Sequence, residues 1–254
     1  MLLFGHRGAR GEAPENTLAG FRHARGVGVA AFELDVRLTA DDKLAVIHDA
    51  TVDRTTNESG PVSDFTAAQL AELDARANHP EWPERVGVPL LSEVLDGFAD
   101  QVRFAIEIKT DAPERLELVC AAVVAHIERY AVAETVAVTS FDPVALEIMR
   151  RIAPALPRAF IGAFDTPAFL ETALRLECRQ ADVQLSRGSA EVVRQAQSHG
   201  LRVVGWQGNT TENLAALIEW GVDGITSDYP TQALAYLREH GKTATAWGHD
   251  EALK

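Results

Sequence analysis

Short apolar runs of strand length alternate along this chain with longer stretches of helical periodicity. The apolar runs lie at Leu2–His6, Ala31–Val36, Arg103–Lys109, Thr135–Phe141, Arg158–Gly162, Asp182–Leu185, Arg202–Gln207 and Gly224–Asp228. The clearest helical stretches lie at Ala112–Tyr130, Pro143–Ile152, Pro167–Leu176, Ala190–His199, Glu212–Trp220 and Thr231–His240. Regular alternation of this kind predicts a parallel sheet covered by helices. Because eight such units fit in 254 residues, we expect one α/β domain, residues 1–254, with the fold of a closed TIM (β/α)8 barrel.

The first departure from this alternation follows the second apolar run. A second run, Leu44–Ile47, comes directly after the polar turn Ala40–Lys43. A link this short cannot be a parallel crossover, so we predict an antiparallel hairpin. The returning strand would bring His48 back to the level of Glu33 and Asp35.

The second departure is the stretch Ala50–Pro89, which is rich in polar residues, Pro and Gly. Within it, only a short helix around Ala67–Leu73 is predicted. Insertions of this size on the catalytic side of a barrel are usually functional, so we expect a lid or a substrate cap.

Two carboxylates interrupt the apolar run Ala31–Val36. Glu33 and Asp35 are two residues apart, so on a strand both side chains point to the same face. One interpretation is a half-exposed strand whose polar face meets water. Burying two like charges side by side is costly unless a cation lies between them, and the rest of the run is apolar on both faces. We therefore favour a divalent-metal site.

The ends of the predicted strands carry more polar side chains. In a TIM barrel the active site lies at the C-terminal ends of the strands. Seven residues fall there, namely His6, Arg7, Glu33, Asp35, His48, Glu107 and Lys109. Each has a plainer interpretation: a single histidine is most often an ordinary hydrogen-bonded residue, Arg7 can anchor a loop, and Glu107 and Lys109 can form an ion pair. The set is more specific than any member because all seven lie on one side.

The chemistry of this set can be narrowed. The carboxylates of Glu33, Asp35 and Glu107 offer only oxygen ligands, which suits Mg²⁺ or Ca²⁺ and disfavours zinc. Arg7 and Lys109 are donors that suit phosphate oxygens. The two histidines titrate near neutrality and suit a base and an acid on opposite sides of a phosphorus atom. The set predicts cleavage of a phosphate ester with one divalent cation, Mg²⁺ or Ca²⁺, as cofactor.

The overall charge narrows the range of partners. The formal net charge is −13, so the chain has no basic surplus for nonspecific binding to nucleic acid or to an anionic membrane. No charged leader with a long apolar stretch is visible, and no apolar run approaches the roughly 20 residues of a membrane helix. We expect a cytoplasmic protein that acts on a small molecule without membrane insertion. The oligomeric state is left open.

Several motifs, in this order, resemble those of the glycerophosphodiester phosphodiesterase family. They are His6-Arg7-Gly8, Pro14-Glu15-Asn16-Thr17, Glu33-Leu34-Asp35-Val36, His48-Asp49-Ala50-Thr51 and Glu107-Ile108-Lys109. The similarity continues through Pro89–Leu95, Ser140-Phe141 and Gly221–Pro230, so it runs nearly from end to end.

The resemblance implies a TIM-barrel enzyme in which Ala50–Pro89 is the family's insertion. It implies metal binding by the three carboxylates, general base catalysis by His6, general acid catalysis by His48, and phosphate contacts from Arg7 and Lys109. In the family, a glycerol hydroxyl of the substrate attacks phosphorus and expels the alcohol, and water then opens the cyclic phosphate. The expected reaction is hydrolysis of a glycerophosphodiester to glycerol 3-phosphate and an alcohol.

Two residues before the first helix have open roles. Asn16 or Thr17 can cap that helix, or Asn16 can belong to the site. The resemblance implies that Glu15 supports Arg7 or a histidine from behind.

Two aromatic residues are candidate walls of the substrate pocket. Trp206 lies in Trp206-Gln207-Gly208-Asn209, which differs from the family's usual Trp-Thr-x-Asn, so any contact of that threonine is in doubt here. Phe141 is a wall candidate with a core position as the alternative.

Two other functions are compatible with these motifs. One is a phospholipase D-like lyase on the same barrel, which would release a cyclic phosphate from lysophospholipids. The other is a barrel that binds phosphodiesters without turnover, although such a protein should have lost a histidine or a metal carboxylate. The alcohol head group cannot be inferred from the sequence, because we expect the selective wall to lie in the insertion.

Overall fold

The structure is a computed structural model that describes residues 1–162 and 167–242 of the chain. Its strands are β1 (Leu2–His6), β2 (Ala31–Leu38), β3 (Leu44–Val46), β4 (Arg103–Ile108), β5 (Val136–Ser140), β6 (Arg158–Gly162), β7 (Gln180–Gln184), β8 (Arg202–Trp206) and β9 (Gly224–Ser227). Its α-helices are α1 (Leu18–Val27), α2 (Ala67–Ala71), α3 (Leu91–Phe98), α4 (Pro113–Tyr130), α5 (Pro143–Ile152), α6 (Pro167–Arg175), α7 (Ala190–Ser198), α8 (Thr211–Trp220) and α9 (Pro230–Glu239).

Eight of these strands close into a barrel. β1 pairs with β2 on one side and with β9 on the other, and the ring between them runs β2-β4-β5-β6-β7-β8-β9. Every pairing in the ring is parallel, which requires connections of the length that helices supply. The predicted TIM barrel is confirmed.

β3 lies outside the ring as the return strand of a hairpin. It pairs antiparallel with β2, with Leu38 opposite Leu44, and this pairing extends β2 two residues beyond its predicted end. The Ile47 N–H donates to the Asp35 carbonyl at 3.0 Å. The hairpin therefore returns His48 to the level of the carboxylates, as predicted.

Alternation along β2 separates its two faces. Phe32 and Leu34 belong to the large apolar core between the barrel and its helices. The opposite face points into the barrel, where a small apolar cluster fills the interior. This cluster contains Leu2, Phe4, Ala31, Ala105 and Val204. Glu33 and Asp35 share the face of Ala31, so they lie above this apolar plug.

Some element boundaries differ from the predicted ones. α3 was not predicted, although Leu91, Val94, Leu95 and Phe98 recur at helical spacing and are buried. β7 begins at Gln180 rather than at Asp182, and α2 ends two residues early. In the described part of the chain, no helix has the length and apolar composition needed to cross a membrane.

The insertion 50–89 packs on the hairpin through a second apolar cluster. Leu70, Val52 and Val88 of the insertion join Ala45 and Ile47 in this cluster, and all five are nearly inaccessible to solvent. The cluster holds the insertion against the strand that leads to His48.

Candidate active site

A cleft opens at the C-terminal end of the barrel. It holds about 540 Å³ of empty space, a volume that includes its open mouth. The lining residues are His6, Arg7, Arg10, Glu33, His48, Glu107, Phe141, Ile161, Asp182, Trp206, Gln207 and Thr226. Five of the seven predicted strand-end residues are therefore in the lining, and the other two, Asp35 and Lys109, are buried beside it. None of these lining residues belongs to the insertion 50–89.

The three carboxylates come from neighbouring strands. Glu33 and Asp35 lie on β2, and Asp35 is in register with Glu107 on β4. One oxygen from each lies within 4.8 Å of the others. Glu33, Asp35 and Glu107 are 7%, 0% and 6% exposed, so this strand face does not simply meet water.

Two cations contact these carboxylates. The Nζ of Lys109 lies 2.8 Å from Asp35 Oδ1 and also contacts Glu107 Oε1. The Nε of Arg7 lies 3.3 Å from Asp35 Oδ2. The backbone N–H of Arg7 donates to Glu33 Oε2 at 3.0 Å. The two predicted phosphate donors are thus ion-paired with the carboxylates.

The turn after β1 presents the Arg7 backbone to Glu33. Arg7 and Gly8 have φ angles of 51° and 86°, and the second position favours glycine because it has no Cβ. A Cβ on Gly5 would lie 2.0 Å from the Gly8 carbonyl oxygen. Glycines at both positions therefore let the chain turn tightly beside the site.

The charges of the three carboxylates are not fully balanced. Burial, then the charges of Asp35 and Glu107, raise the pKa of Glu33 well above its ordinary value. Burial and Asp35 also raise the pKa of Glu107. Burial opposes the ionisation of Asp35, but Lys109 and Arg7 outweigh it and lower that pKa. Three carboxylates share only two cationic partners, and an oxygen-only donor set with excess negative charge fits a hard divalent cation.

His6 is held by an aspartate at the end of β9. Its Nδ1 contacts Asp228 Oδ1, and Asn209 exchanges two hydrogen bonds of 2.8 Å with Asp228. Burial of Asp228 is outweighed by its hydrogen bond to His6, which lowers the pKa of Asp228 and keeps it an acceptor. Nδ1 of His6 therefore carries the proton, and Nε2, 3.7 Å from Glu33 Oε2, is unprotonated in the neutral ring. Burial lowers the pKa of His6, which favours that neutral ring.

His48 is oriented in the same way from the other side. Its Nδ1 lies 2.6 Å from Asp49 Oδ1, and Arg54 Nε donates to Asp49 Oδ2 at 2.6 Å. Burial of Asp49 is outweighed by Arg54 and His48, which lower its pKa to about 2. Arg37 Nε donates to the His48 carbonyl at 2.8 Å. Burial lowers the pKa of His48, and the charge of Asp35 acts in the opposite direction.

The residues before α1 have separate contacts. Thr17 caps the helix, because its hydroxyl accepts from the Gly20 N–H at 3.1 Å. Asn16 instead donates from Nδ2 to Asp35 Oδ2 at 2.8 Å. Glu15 Oε1 accepts from Arg7 Nη1 at 2.8 Å.

Aromatic side chains stand at one side of the cleft. Phe141 is 48% exposed and meets Trp206 edge to face, with 6.1 Å between ring centroids. Lys109 Nζ lies 5.9 Å from the Phe141 centroid. Gln207, at the position of the family's usual threonine, lines the cleft, and its backbone carbonyl accepts from Asn213 Nδ2 at 3.1 Å.

Several residues of this site lie outside the set predicted from the sequence. Asp182 lines the cleft from β7, accepts from Gln180 Nε2 at 2.7 Å, and has a pKa that burial raises to about 7. The alternation of Gln180, Asp182 and Gln184 with apolar neighbours was the available signal. Asp228 directly follows β9 at the C-terminal end of the barrel, so the strand-end rule could have found it. Arg54 lies in an irregular segment, where no periodicity points to it.

Comparison with known sequences identifies the family. The model of the "Glycerophosphoryl diester phosphodiesterase family" matches residues 6–232. A glycerophosphodiester phosphodiesterase from Caldanaerobacter subterraneus subsp. tengcongensis is 31% identical over 247 residues, which cover 94% of this chain and 99% of that protein. One from Bacillus subtilis is 32% identical over 246 residues, covering 91% of this chain and 84% of that protein.

Solved structures agree with the sequence comparison. An Oleispira antarctica phosphodiesterase in complex with the product sn-glycerol-3-phosphate matches with a TM-score of 0.85 and 25% identity, covering 94% of this chain and 97% of that one. A glycerophosphodiester phosphodiesterase from Agrobacterium tumefaciens matches with a TM-score of 0.80 and 26% identity, covering 92% of this chain and 99% of that one. The resemblance noted in the motifs is confirmed, as is the prediction of an enzyme. This chain belongs to the glycerophosphoryl diester phosphodiesterase family.

Proposed function

We propose that this protein hydrolyses glycerophosphodiesters to glycerol 3-phosphate and an alcohol, with one divalent cation, Mg²⁺ or Ca²⁺. The observation that carries the proposal is the carboxylate cluster in a cleft that also contains two aspartate-bound histidines. Family membership supports it, as does the product bound in the Oleispira antarctica relative.

Glu33, Asp35 and Glu107 would hold the cation. Their grouped oxygens and the raised pKa of Glu33 support this assignment, since a cation would relieve the repulsion between buried charges. When bound, the cation would supply positive charge to the phosphate oxygens in the transition state.

Arg7 and Lys109 are proposed to hold the phosphate. Both cations lie within 3.3 Å of Asp35, so they adjoin the place that a phosphate beside the carboxylates would occupy. Phe141 and Trp206 are proposed as the wall against which the substrate packs. Asn16 is proposed to orient Asp35, and Glu15 to orient Arg7, through their hydrogen bonds.

The histidines are assigned to proton transfer. Nε2 of His6 would take the proton of the attacking glycerol hydroxyl, because Asp228 holds the proton of the other ring nitrogen. His48 would give its Nε2 proton to the departing alcohol. A bound phosphodiester anion favours the protonated form of His48, which its burial alone disfavours. Water would then open the cyclic phosphate.

The cellular setting completes the proposal. The net charge of −13 supports a small-molecule substrate over nucleic acid. We place the reaction in the cytoplasm and treat residues 1–254 as one domain. One barrel sheet that runs from β1 to β9 supports the domain assignment.

Turnover of a small panel of glycerophosphodiesters tests the proposal. We expect chelation to abolish turnover and Mg²⁺ or Ca²⁺, added back separately, to restore it. Phosphorus NMR should show glycerol 3-phosphate as the final product, whereas a cyclic phosphate that persists would indicate the lyase. Substrate binding without turnover in the presence of metal would indicate a non-catalytic barrel.

Histidine variants test the assigned roles. His6→Ala and His48→Ala should each lower kcat by about 10²- to 10⁴-fold, the usual contribution of a positioned acid or base. His126→Ala, on α4 outside the cleft, is the matched control and should keep wild-type turnover. Full metal-dependent activity of either cleft variant would contradict the mechanism.

A further inference from the structure

Arg54 forms hydrogen bonds with two carboxylates, Asp49 and Glu15, that contact different residues of the cleft. Its Nε donates to Asp49 Oδ2 at 2.6 Å, and Nη1 and Nη2 donate to the two oxygens of Glu15 at 2.8 Å each. A guanidinium presents these donors in one rigid plane. The three bonds therefore fix the two carboxylates relative to each other.

Each of these carboxylates holds a residue that lines the cleft. Asp49 Oδ1 lies 2.6 Å from His48 Nδ1, and Glu15 Oε1 accepts from Arg7 Nη1 at 2.8 Å. The contacts form a continuous chain from His48 through Asp49, Arg54 and Glu15 to Arg7. Arg54 itself is not among the lining residues, and its contacts with the cleft run through these partners.

We propose that Arg54 is a positioning residue that sets His48, the acid, relative to Arg7, the phosphate donor. The inference rests on the proposed function and extends it to a residue of the insertion. It assigns the insertion a part in the chemical step, although the insertion supplies none of the described lining.

Loss of Arg54 should affect the His48 end and the Arg7 end of this series of contacts unequally. The Glu15 side chain is 3% exposed and would keep the Arg7 guanidinium, with Asn78 Nδ2 at 3.4 Å as a further partner. The Asp49 side chain is 30% exposed and would keep only His48 among these contacts, so it could rotate toward water. The acid should therefore lose its orientation more than the phosphate donor does.

The leaving alcohol offers a test of this asymmetry. A choline leaving group needs a proton from the acid, whereas p-nitrophenolate leaves readily without one. We expect Arg54→Ala to lower kcat for glycerophosphocholine by about 10-fold or more, a part of the 10²- to 10⁴-fold effect of general acid catalysis. For glycerophospho-p-nitrophenol the kcat of the same variant should fall by less than about 3-fold. KM should change little for either substrate.

Matched variants separate positioning from folding. Arg76→Ala removes an arginine that pairs with Asp74 and the Trp82 carbonyl inside the insertion, and it should change neither substrate's kcat. Arg54→Lys keeps the charge but not the planar guanidinium. It should also lose more kcat for glycerophosphocholine than for glycerophospho-p-nitrophenol, to a smaller degree than Arg54→Ala. This variant keeps the test valid if Arg54→Ala does not fold. His48→Ala should show the preference most strongly.

Two results would overturn the inference. One is an equal loss on both substrates for Arg54→Ala and Arg54→Lys, which indicates general damage to the fold. The other is unchanged kcat for glycerophosphocholine. A wild-type protein inactive on both substrates, with metal supplied, would instead refute the proposed function, and the inference would fall with it.

Discussion

Glu33 and Asp35 are neighbours on one strand face, yet their surroundings move their pKa values in opposite directions. Asp35 is paired with Lys109 at 2.8 Å and with Arg7 at 3.3 Å, and these cations lower its pKa. Glu33 receives the Arg7 backbone N–H, but burial and two nearby carboxylates raise its pKa. One position thus stabilises the metal-free protein, whereas the other opposes its folding.

Neutralising substitutions at these positions should therefore have opposite effects in chelator. Asp35→Asn leaves two buried cations short of a partner and should lower the free energy of unfolding by about 3 kcal/mol. Glu33→Gln relieves the repulsion between carboxylates and keeps an acceptor for the Arg7 N–H. It should raise the free energy of unfolding by about 1 kcal/mol at pH 8. Urea unfolding measures both. Equal destabilisation by the two changes would contradict this account, and both variants should lose affinity for the cation.

Asp182 should make stability depend on pH. Its folded pKa of about 7 lies above the ordinary 3.8, so between these values the folded protein holds a proton that the unfolded chain has released. The stability contribution of this group is therefore full below about pH 4 and is lost as the pH rises through 7. Asp182→Asn should be more stable than wild type at pH 8 by a few kcal/mol, and this advantage should vanish at pH 4.

Thermal unfolding across this pH range measures the effect. Asp64→Asn makes the same chemical change at an exposed position of the insertion and serves as the control. A profile for Asp182→Asn that runs parallel to the wild-type profile would show that folding does not raise the pKa of Asp182.

At the scale of elements, the hairpin and the insertion behave as one unit. Leu70 is 0% exposed in the cluster that also contains Ala45 and Ile47. Leu70→Ala should cost about 2–5 kcal/mol of local packing, because deleting buried methyl groups leaves a cavity. The loss should fall on the insertion and β3, while the barrel ring keeps its own core.

Hydrogen exchange can locate this loss. Amides of residues 45–47 and 50–89 should exchange faster in Leu70→Ala, with those of β4 to β9 unchanged. Leu118→Ala, an identical change at a residue that is 50% exposed on α4, serves as the control. Faster exchange throughout the barrel would mean that the insertion and the ring unfold together.

At the scale of the whole molecule, periodicity was sufficient for the barrel and for most of the strand-end residues. A strand end is a local property, so His6, Glu33 and Glu107 could be found from their positions in apolar runs. The contacts of Arg54 and Asn209 could not be found in this way. Arg54 lies in an irregular segment, and Asn209 meets Asp228 only because the ring brings the ends of β8 and β9 together. Asp182 alternates with apolar neighbours on β7 and Asp228 directly follows β9, so the same local rules apply to both. The cap at Thr17, rather than at Asn16, needed the backbone geometry.

The acidic surface raises a further question at this scale. A net charge of −13 repels an anionic phosphodiester, so attraction must come from local charge at the cleft. Arg7 and Arg10 line the cleft, and Lys109 is buried beside it. Together with a divalent cation they would oppose the overall field close to the carboxylates.

The shared cluster beneath the insertion also has a consequence for protein engineering. Exchanging residues 50–89 alone with those of a relative would place foreign side chains against Ala45 and Ile47 and so disturb the strand that presents His48. A chimaera should be cut after Leu38 and before Leu91, so that the return strand travels with its own partner segment.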